Sequence, residues 1–116
     1  MHCILVVDDD PGVRTMTSWA LRAEGYTVHS APDGSQGLAV MEREQPSVIV
    51  LDVQMPVMDG ETFFKSIDGP GRPPVIIVSA FGAERICREL GAEGWIAKPF
   101  DPIELTALVA QFAPLS

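Results

Sequence analysis

The sequence has few basic residues, few cysteines and no long hydrophobic run. Its 116 residues include 8 Lys and Arg against 16 Asp and Glu, a net charge of −8, whereas binding nucleic acid through its phosphates requires positive charge. The two cysteines, Cys3 and Cys87, fit reduced thiols better than a disulfide framework. The longest apolar run, residues 3–7, is too short to cross a membrane, and no basic segment of a signal peptide precedes it. These absences exclude nucleic acid and membrane as partners and favour an acidic cytoplasmic protein of one domain, residues 1–116.

Short strand patterns alternate with helix patterns along the chain. Strands are predicted at five apolar runs, three of them rich in Val and Ile (residues 3–7, 48–51 and 75–78) and two weaker (27–31 and 94–97). Helices are predicted in the gaps, from Pro11 to a stop at Gly25 and over residues 34–44, 60–67, 82–90 and 102–112. Five strand–helix units in alternation predict an α/β protein, an open sandwich with a mostly parallel sheet.

Aspartates precede four of the five predicted helices, where they are expected to act as N-caps: Asp10, Asp33, Asp59 and Asp101. Asp101 is followed three residues later by Glu104, the spacing of a capping box. We therefore interpret Asp10 as a helix cap rather than as a member of a site.

Polar side chains follow four of the five predicted strands. Asp8 and Asp9 follow the first strand, Asp52 the third, Ser79 the fourth and Lys98 the fifth. Ligands of open parallel sheets bind outside the carboxyl ends of the strands, so we expect these five side chains to form one cluster. The sequence pattern leaves the strand order open, with 2-1-3-4-5 as one of two common orders.

The chemistry of this cluster points to phosphoryl transfer. Three nearby carboxylates repel one another unless a cation lies among them or one of them is protonated. Hard oxygen ligands without His or Cys favour Mg²⁺ or Mn²⁺ over zinc. A metal ion, the Lys98 ammonium and the Ser79 hydroxyl together suit the charge of a transferring phosphoryl group. The predicted reaction is Mg²⁺-assisted phosphorylation of an aspartate that acts as nucleophile.

Each of these residues alone has a simpler interpretation. Asp8 or Asp9 could be a helix cap, Ser79 a turn residue and Lys98 an exposed lysine. Asp52 resists such an interpretation because it ends a run of buried aliphatic residues, where an unpaired charge is costly. The occurrence of all five at strand ends favours a functional site.

Four motifs of the chain resemble the receiver domains of bacterial response regulators. Residues 6–11 read VVDDDP, residues 51–60 LDVQMPVMDG, residues 78–80 VSA and residues 97–100 AKPF, in the order that this family shows. The resemblance spans nearly the whole chain. It implies a flavodoxin-like fold with five parallel strands in the order 2-1-3-4-5 and five helices.

The resemblance also implies what the acidic residues do. Asp52 would accept a phosphoryl group from a histidine kinase or a histidine phosphotransfer protein. Asp9 would bind Mg²⁺ directly and Asp8 mostly through water, with Asp52 and the backbone carbonyl of Gln54 completing the protein ligands. Gly60 would allow the tight turn after Met55–Pro56.

Further roles are implied for the residues of the last strands. Lys98 would pair with Asp52 and then with the phosphoryl group, and Ser79 would move to hydrogen-bond a phosphoryl oxygen. Trp95, three residues before Lys98, matches the aromatic switch position, where Tyr or Phe is usual; we expect the larger indole to stay incompletely buried. The Lys98–Pro99 peptide bond is expected to be cis.

The segment between the last two motifs is short. Lys98 follows Ser79 by 19 residues, a few fewer than in most receiver domains, which predicts a shortened fourth helix. The face built by the fourth helix, fifth strand and fifth helix is the usual output and dimerisation surface of the family. We therefore expect a monomer or a weak dimer, and the downstream target is not specified.

Met16 and Trp19 lie outside the buried stripe predicted for the first helix. One interpretation is an apolar docking patch for a kinase or phosphotransfer helix; the other is a boundary methionine beside a half-covered tryptophan. The chain ends at Ser116, after the last helix, so it is interpreted either as a stand-alone receiver or as part of a longer regulator or hybrid kinase.

Three functions remain in competition. The first is a phosphorylation-dependent signalling switch, and the second is a constitutive protein-interaction module of receiver type that phosphorylation does not control. The third is a hydrolase with an aspartyl-phosphate intermediate, which is disfavoured because haloacid-dehalogenase-type phosphatases carry an acidic residue where this chain has Gln54. We expect no enzyme in the sense of turnover of an exogenous substrate.

Overall fold

Strands and helices alternate from end to end in the computed structural model, which describes residues 2–54 and 59–115. The strands are β1 (Cys3–Val7), β2 (Thr27–Ala31), β3 (Val48–Asp52), β4 (Val75–Ser79) and β5 (Gly94–Ala97). The helices are α1 (Pro11–Ala23), α2 (Gly34–Glu44), α3 (Gly60–Ile67), α4 (Ala83–Leu90) and α5 (Pro102–Phe112). Each predicted element is present, and β3 and β4 each extend one residue further than predicted, to Asp52 and Ser79.

The five strands form one parallel sheet in the order β2-β1-β3-β4-β5. The predicted fold class is therefore confirmed, and so is the strand order that the resemblance implied. Since every connection between strands runs through a helix, all the carboxyl ends lie at one edge of the sheet. The reversal of strand order between β1 and β3 opens a crevice at that edge.

The sheet separates two apolar cores. Ile4, Val6, Val50 and Val78 point to one face, which α1 and α5 cover through side chains such as Leu21, Leu105 and Val109. Leu5, Val7, Leu51 and Ile77 point to the other face, where α2, α3 and α4 contribute Val40, Phe63, Phe64 and Ile86. The continuous apolar runs of the strands are explained by this burial on both faces.

Four helices begin at the predicted aspartate caps. The carboxylates of Asp10, Asp33 and Asp59 accept from backbone amides of the first turn of α1, α2 and α3. At α5 the predicted capping box is wrong in detail: Asp101 accepts from the amide of Ile103 at 2.8 Å, and the Glu104 amide bonds the Asp101 carbonyl instead. That tight first turn draws the Glu104 amide away from the cap side chain.

Helix α4 differs from the others at its start. Its eight residues follow Gly82, which has a φ of 65° and brings no capping side chain. It ends at Gly91, as predicted, in the left-handed conformation that glycine adopts readily. The expectation of a short fourth helix is met.

Arg72 connects three segments at the edge opposite the carboxyl ends of the strands. Its guanidinium contacts Glu93 through two nitrogens, at 2.6 and 3.0 Å, and Asp68 at 3.0 Å. It also donates to the Gly91 carbonyl and lies over the Phe64 ring, 4.7 Å from the centroid. We call this group, Arg72 with Glu93, Asp68, Gly91 and Phe64, the Arg72 cluster; no pattern in the sequence predicts it.

Two further features complete the fold. The Lys98–Pro99 peptide bond is cis, as the resemblance implied. Among residues 2–54 and 59–115, no helix has the length and apolar character required to cross a bilayer.

Candidate functional site

Asp8, Asp52 and Lys98 meet at the carboxyl edge of the sheet. Asp8 follows β1, Asp52 ends β3 and Lys98 follows β5. By the alternation of side chains along each strand, all three belong to the face covered by α1 and α5. The strands thus deliver two carboxylates and one ammonium group to the crevice from the same side.

The Lys98 ammonium joins the two carboxylates. Its Nζ lies 3.0 Å from Oδ2 of Asp8 and 3.1 Å from Oδ2 of Asp52. Asp8 and Asp52 are both buried, and Lys98 is largely so. A single cation between two buried anions leaves the site with net negative charge, which an additional cation would neutralise.

Backbone amides hold the other oxygen of each buried carboxylate. The Asp10 amide donates to Oδ1 of Asp8, and the Gln54 amide donates to Oδ1 of Asp52, both at 2.9 Å. Arg14 adds a contact that no sequence pattern indicates. Its guanidinium donates to the Asp8 carbonyl at 2.8 Å. These bonds fix the orientation of both carboxylates before any ligand arrives.

Asp9 completes a group of three carboxylates. One oxygen each of Asp8, Asp9 and Asp52 lie within 4.8 Å of one another, with Asp9 exposed and the other two buried. Three hard oxygen donors with one side open to water match the preference of Mg²⁺, which keeps several waters and takes one or two carboxylates. The residues therefore fit the predicted metal ion.

Electrostatics at Asp52 follow from its burial. Burial raises the pKa of Asp52 to about 6, and the charge of Asp8 acts in the same direction, while the Gln54 amide and Lys98 oppose them. Burial by itself would lower the pKa of Lys98, but its hydrogen bond to Asp8 and the charges of Asp52 and Asp8 raise it instead. At neutral pH the site therefore contains an ionised Asp52 beside a protonated Lys98.

Gly60 is required by a close approach of two backbones. Its amide donates to the Val53 carbonyl at 3.3 Å. A Cβ atom at this position would lie 2.7 Å from the Asp52 carbonyl oxygen and closer still to Cα of Val53. The start of α3 is thereby packed against the end of β3. The predicted turn at Met55–Pro56 lies outside the described residues.

Comparison with known proteins assigns this arrangement to a family. The sequence matches the response regulator receiver domain family over residues 4–110. The chain belongs to this family. Sporulation initiation phosphotransferase F of Bacillus subtilis is 37% identical over 118 residues, covering 97% of this chain and 94% of that protein. The chemotaxis protein CheY4 of Vibrio cholerae has the same fold, with a TM-score of 0.88 and 32% identity over 97% of this chain and 98% of that chain.

Other relatives of this receiver domain are longer. The probable transcriptional regulator ycf27 of Porphyridium aerugineum is 38% identical over 109 residues, which cover 91% of this chain and 45% of that protein. The receiver domain thus spans about half the length of such relatives. Receiver domains are signalling domains rather than classical enzymes; phosphorylation usually controls them, they bind Mg²⁺ at an aspartate cluster, and they interact with histidine kinases and phosphotransfer proteins.

Ser79 and Trp95 belong to the opposite face of the sheet. Along β4, Ser79 alternates with Val78 and so shares the face of Ile77, which pairs with Trp95 on β5. The Ser79 hydroxyl is fully buried and bonds the backbone of Phe81, not Asp52. Trp95 is 44% exposed. The switch roles of both residues stay predictions.

Met16 and Trp19 line one shallow groove with the first residue of α5, Pro102, and with Ala20 and Ala23. Trp19 is 78% exposed, so this indole is far from half-covered. Apart from Arg22, the lining is apolar, which agrees with a docking patch; its role in docking stays a prediction.

One exposed aromatic residue of the receiver domain was not predicted from the sequence. Phe81 is 77% exposed and follows the site residue Ser79 by two positions. A phenylalanine between Ala80 and Gly82 carries no periodic signal, and only the absence of a helix or strand pattern at residues 80 and 81 could have indicated its exposure.

Proposed function

We propose that residues 1–116 form one receiver domain that works as a phosphorylation-dependent signalling switch, with Asp52 as the phosphoacceptor. The observation that supports this most directly is the buried Asp52 carboxylate, held by the Gln54 amide and by Lys98 within a group of three aspartates. Within residues 2–54 and 59–115, the group of Asp8, Asp9 and Asp52 is the one place where three such carboxylates converge, and the Lys98 ammonium contacts two of them.

The reaction proposed is transfer from a phosphohistidine of a histidine kinase or phosphotransfer protein. A carboxylate oxygen of Asp52 supplies the electron pair for the new O–P bond. The N–P bond breaks, and the imidazole nitrogen keeps that electron pair and then takes a proton from solvent. Because the pKa of Asp52 is about 6, the carboxylate is mainly ionised at neutral pH and can attack.

Lys98 is proposed to neutralise negative charge first on the Asp52 carboxylate and then on the phosphoryl group. It contacts Asp52 at 3.1 Å and stays protonated because the pKa of its ammonium group is raised. When Asp52 becomes an acyl phosphate, the ammonium can turn from the carboxylate oxygen to a phosphoryl oxygen while keeping its contact with Asp8. Ser79 would donate a hydrogen bond to another phosphoryl oxygen, and Trp95 would respond on the same face of the sheet.

Asp8, Asp9, Asp52 and the carbonyl of Gln54 are proposed to hold Mg²⁺. When bound, the ion neutralises charge on the aspartates and on phosphoryl oxygens. The proposed division, with Asp9 as the direct ligand and Asp8 mostly acting through water, is supported by burial, since Asp9 is the exposed member and Asp8 already bonds Lys98 and the Asp10 amide.

The proposed test uses a small phosphodonor. Acetyl phosphate with Mg²⁺ should add one phosphoryl group to the protein, detected by intact mass, and Asp52→Asn should abolish the addition. Asp33→Asn is the matched control, because Asp33 is a helix cap where asparagine serves equally well. A wild-type protein left unmodified by both acetyl phosphate and a competent cognate kinase would overturn the proposal.

If the groove of Met16, Trp19 and Pro102 is where a histidine donor docks, a change in it should affect phosphotransfer from that donor but not from acetyl phosphate. Trp19→Ala removes the most exposed large apolar side chain of the groove, so phosphotransfer from a histidine donor should slow roughly tenfold, as for the loss of an interface anchor of about 1.4 kcal/mol. Labelling by acetyl phosphate should stay at the wild-type rate. Ile103→Ala, an equally exposed aliphatic outside that groove, is the control; equal slowing by both donors would contradict the docking role.

The constitutive interaction module remains the alternative outcome. Partner affinity that is the same for wild type and Asp52→Asn, with and without phosphodonor, would favour it. We also propose a cytoplasmic location and a monomer or weak dimer. No contact with nucleic acid is proposed either, in line with the net charge of −8. Turnover of an exogenous phosphomonoester is not expected.

A further inference from the structure

A groove lies between the carboxyl ends of α2 and α3. Its volume is about 860 Å³, and the apolar part of its lining consists of Leu38, Met41, Pro46, Ile67 and Pro73. Three of these, Leu38, Met41 and Ile67, are partly buried because they also pack against the core beneath α2 and α3. We call it the α2–α3 groove. Its floor is therefore apolar and is held in place by the core.

The two helix ends give the groove a negative potential. The carbonyls of a last helical turn lack helical partners and carry partial negative charge. At the end of α2 the Glu42 carbonyl receives no helical hydrogen bond, because Pro46, four residues later, has no N–H. The next amide, that of Ser47, donates to the Cys3 carbonyl instead. A cation is favoured at such an end.

The charged side chains around the groove act in the same direction. Glu42 lines it and is exposed, and its carboxylate contacts no Lys or Arg within residues 2–54 and 59–115. Arg72 flanks the groove, but two carboxylates of the Arg72 cluster already pair with it. Arg43 is paired with Glu44, and Lys65 is not among the lining residues. The carboxylate of Glu42 is thus left without a cation.

The apolar floor and the negative rim together define an occupant. A bulky apolar side chain suits the floor, and an adjacent Lys or Arg would meet Glu42 and the helix ends. The lining residues Glu42, Gln45 and Ser66 are exposed, so the groove is open along its rim, whereas a small molecule is usually enclosed on most sides. A second copy of this chain is disfavoured, since each copy carries a net charge of −8.

We propose that the α2–α3 groove is a docking site for a protein segment in which a basic residue adjoins a bulky apolar residue. The site is separate from the aspartate group, because α2 ends just before β3 begins, whereas Asp52 is the last residue of β3. Binding is therefore expected to be independent of phosphorylation, and this proposal does not rest on the proposed function.

The test selects random short peptides displayed on phage against the full chain. The selected peptides should place Lys or Arg beside Leu, Met, Phe or Trp, and calorimetry with a synthesised peptide gives its Kd. Glu42→Lys should weaken binding roughly tenfold, because it replaces the attraction by repulsion. Ser66→Arg, which brings a large cation into the groove, should weaken it as well. Asp52→Asn should bind as the wild type does.

Glu24→Lys is the matched control. Glu24 is also exposed at the end of a helix, but α1 covers the opposite face of the sheet, so the net charge changes equally without touching the α2–α3 groove. This variant should keep the wild-type Kd, and urea unfolding confirms that each variant is folded.

Three results would overturn the proposal. The first is a selection that yields no peptide of the expected pattern. The second is a Kd that Glu42→Lys leaves unchanged or that Glu24→Lys raises equally. The third is binding that is lost in Trp19→Ala instead, which would assign the peptides to the groove beside α1.

Discussion

Asp52 is a carboxylate whose charge the fold opposes. It is 2% exposed, faces Asp8 and shares one ammonium group with it. Burial is the larger of these effects on its pKa, which rises to about 6. An ordinary aspartate ionises near pH 3.9, roughly two units lower. The ionised Asp52 that the proposed phosphorylation requires is therefore a source of instability in the metal-free protein.

This instability predicts how Asp52→Asn behaves. Between about pH 4 and pH 6 the folded protein binds more protons at this site than the unfolded chain, so the free energy of unfolding falls as the pH rises. Asparagine does not ionise, so the free energy of unfolding of the variant does not fall in this way. In EDTA the variant should exceed the wild type by about 1–3 kcal/mol at pH 7.5 and match it near pH 4. Urea unfolding at both pH values measures this.

Asp101→Asn provides the comparison for that measurement. Asp101 is an exposed cap where asparagine also caps, so it should change the free energy of unfolding little and without this pH dependence. If Asp52→Asn raised the free energy of unfolding by the same amount at pH 4 and pH 7.5, ionisation of Asp52 would not be the cause.

The positions of the site residues and the contact between Lys98 and Asp52 could be predicted, but other contacts of the site could not. Asp8, Asp52 and Lys98 interrupt apolar runs at strand ends, and strand ends meet at one edge in any parallel sheet. The bond from Ser79 to Phe81 depends on a side-chain rotation and on the local course of residues 80–82. Arg14 reaches the Asp8 carbonyl only because α1 turns back beside β1. Neither contact has a pattern in the sequence.

Among the elements, the strands were predictable because burial on both faces demands unbroken apolar runs. Helix boundaries followed from the aspartate caps and from Gly91. Polar burial was not predictable: Ser18 lies beside the expected stripe of α1 and is nonetheless buried, because α1 packs against the sheet and α5 together. The close contact at Gly60 likewise depends on how α3 meets β3.

That contact predicts the effect of Gly60→Ala. The added Cβ would overlap the backbone of Asp52 and Val53, which the sheet holds in place through the bond from the Val53 amide to Val78. We expect the free energy of unfolding to fall by about 1–3 kcal/mol, and labelling of Asp52 by acetyl phosphate to slow as the end of β3 shifts. Urea unfolding and intact mass measure the two effects.

Gly12→Ala is the corresponding control within α1. There the new Cβ meets only the carboxylate of Asp10, at 3.2 Å, and this side chain can move. The variant should lose little stability and keep the labelling rate. Equal losses in both variants would show that the contact between α3 and β3 has no special importance.

For the whole molecule, the Arg72 cluster and the aspartate group lie at opposite edges of the sheet. The cluster joins the end of α3 to the segments before β4 and β5, and the Val75 amide bonds Glu93 within it. Arg72 is nearly buried, and its planar guanidinium donates to two carboxylates and to two backbone carbonyls. We therefore expect that stability and the proposed phosphorylation of Asp52 can be changed independently.

Arg72→Lys should show this independence. Lysine keeps the charge but cannot make the two parallel bonds to Glu93, so the free energy of unfolding should fall by about 1–2 kcal/mol. The rate of Asp52 labelling by acetyl phosphate should stay unchanged. Arg88→Lys is the control, because Arg88 forms an exposed ion pair with Glu84; this variant should leave the free energy of unfolding almost unchanged. A slower labelling rate in Arg72→Lys would contradict the separation of the two edges.

The division of the helices between the two faces of the sheet has a consequence for complexes. The groove of Met16, Trp19 and Pro102 belongs to the layer of α1 and α5, whereas Trp95 faces the layer of α4. A protein seated on the first layer leaves the second one uncovered. We therefore expect one copy of the chain to bind a donor on the first layer and a target on the second at the same time.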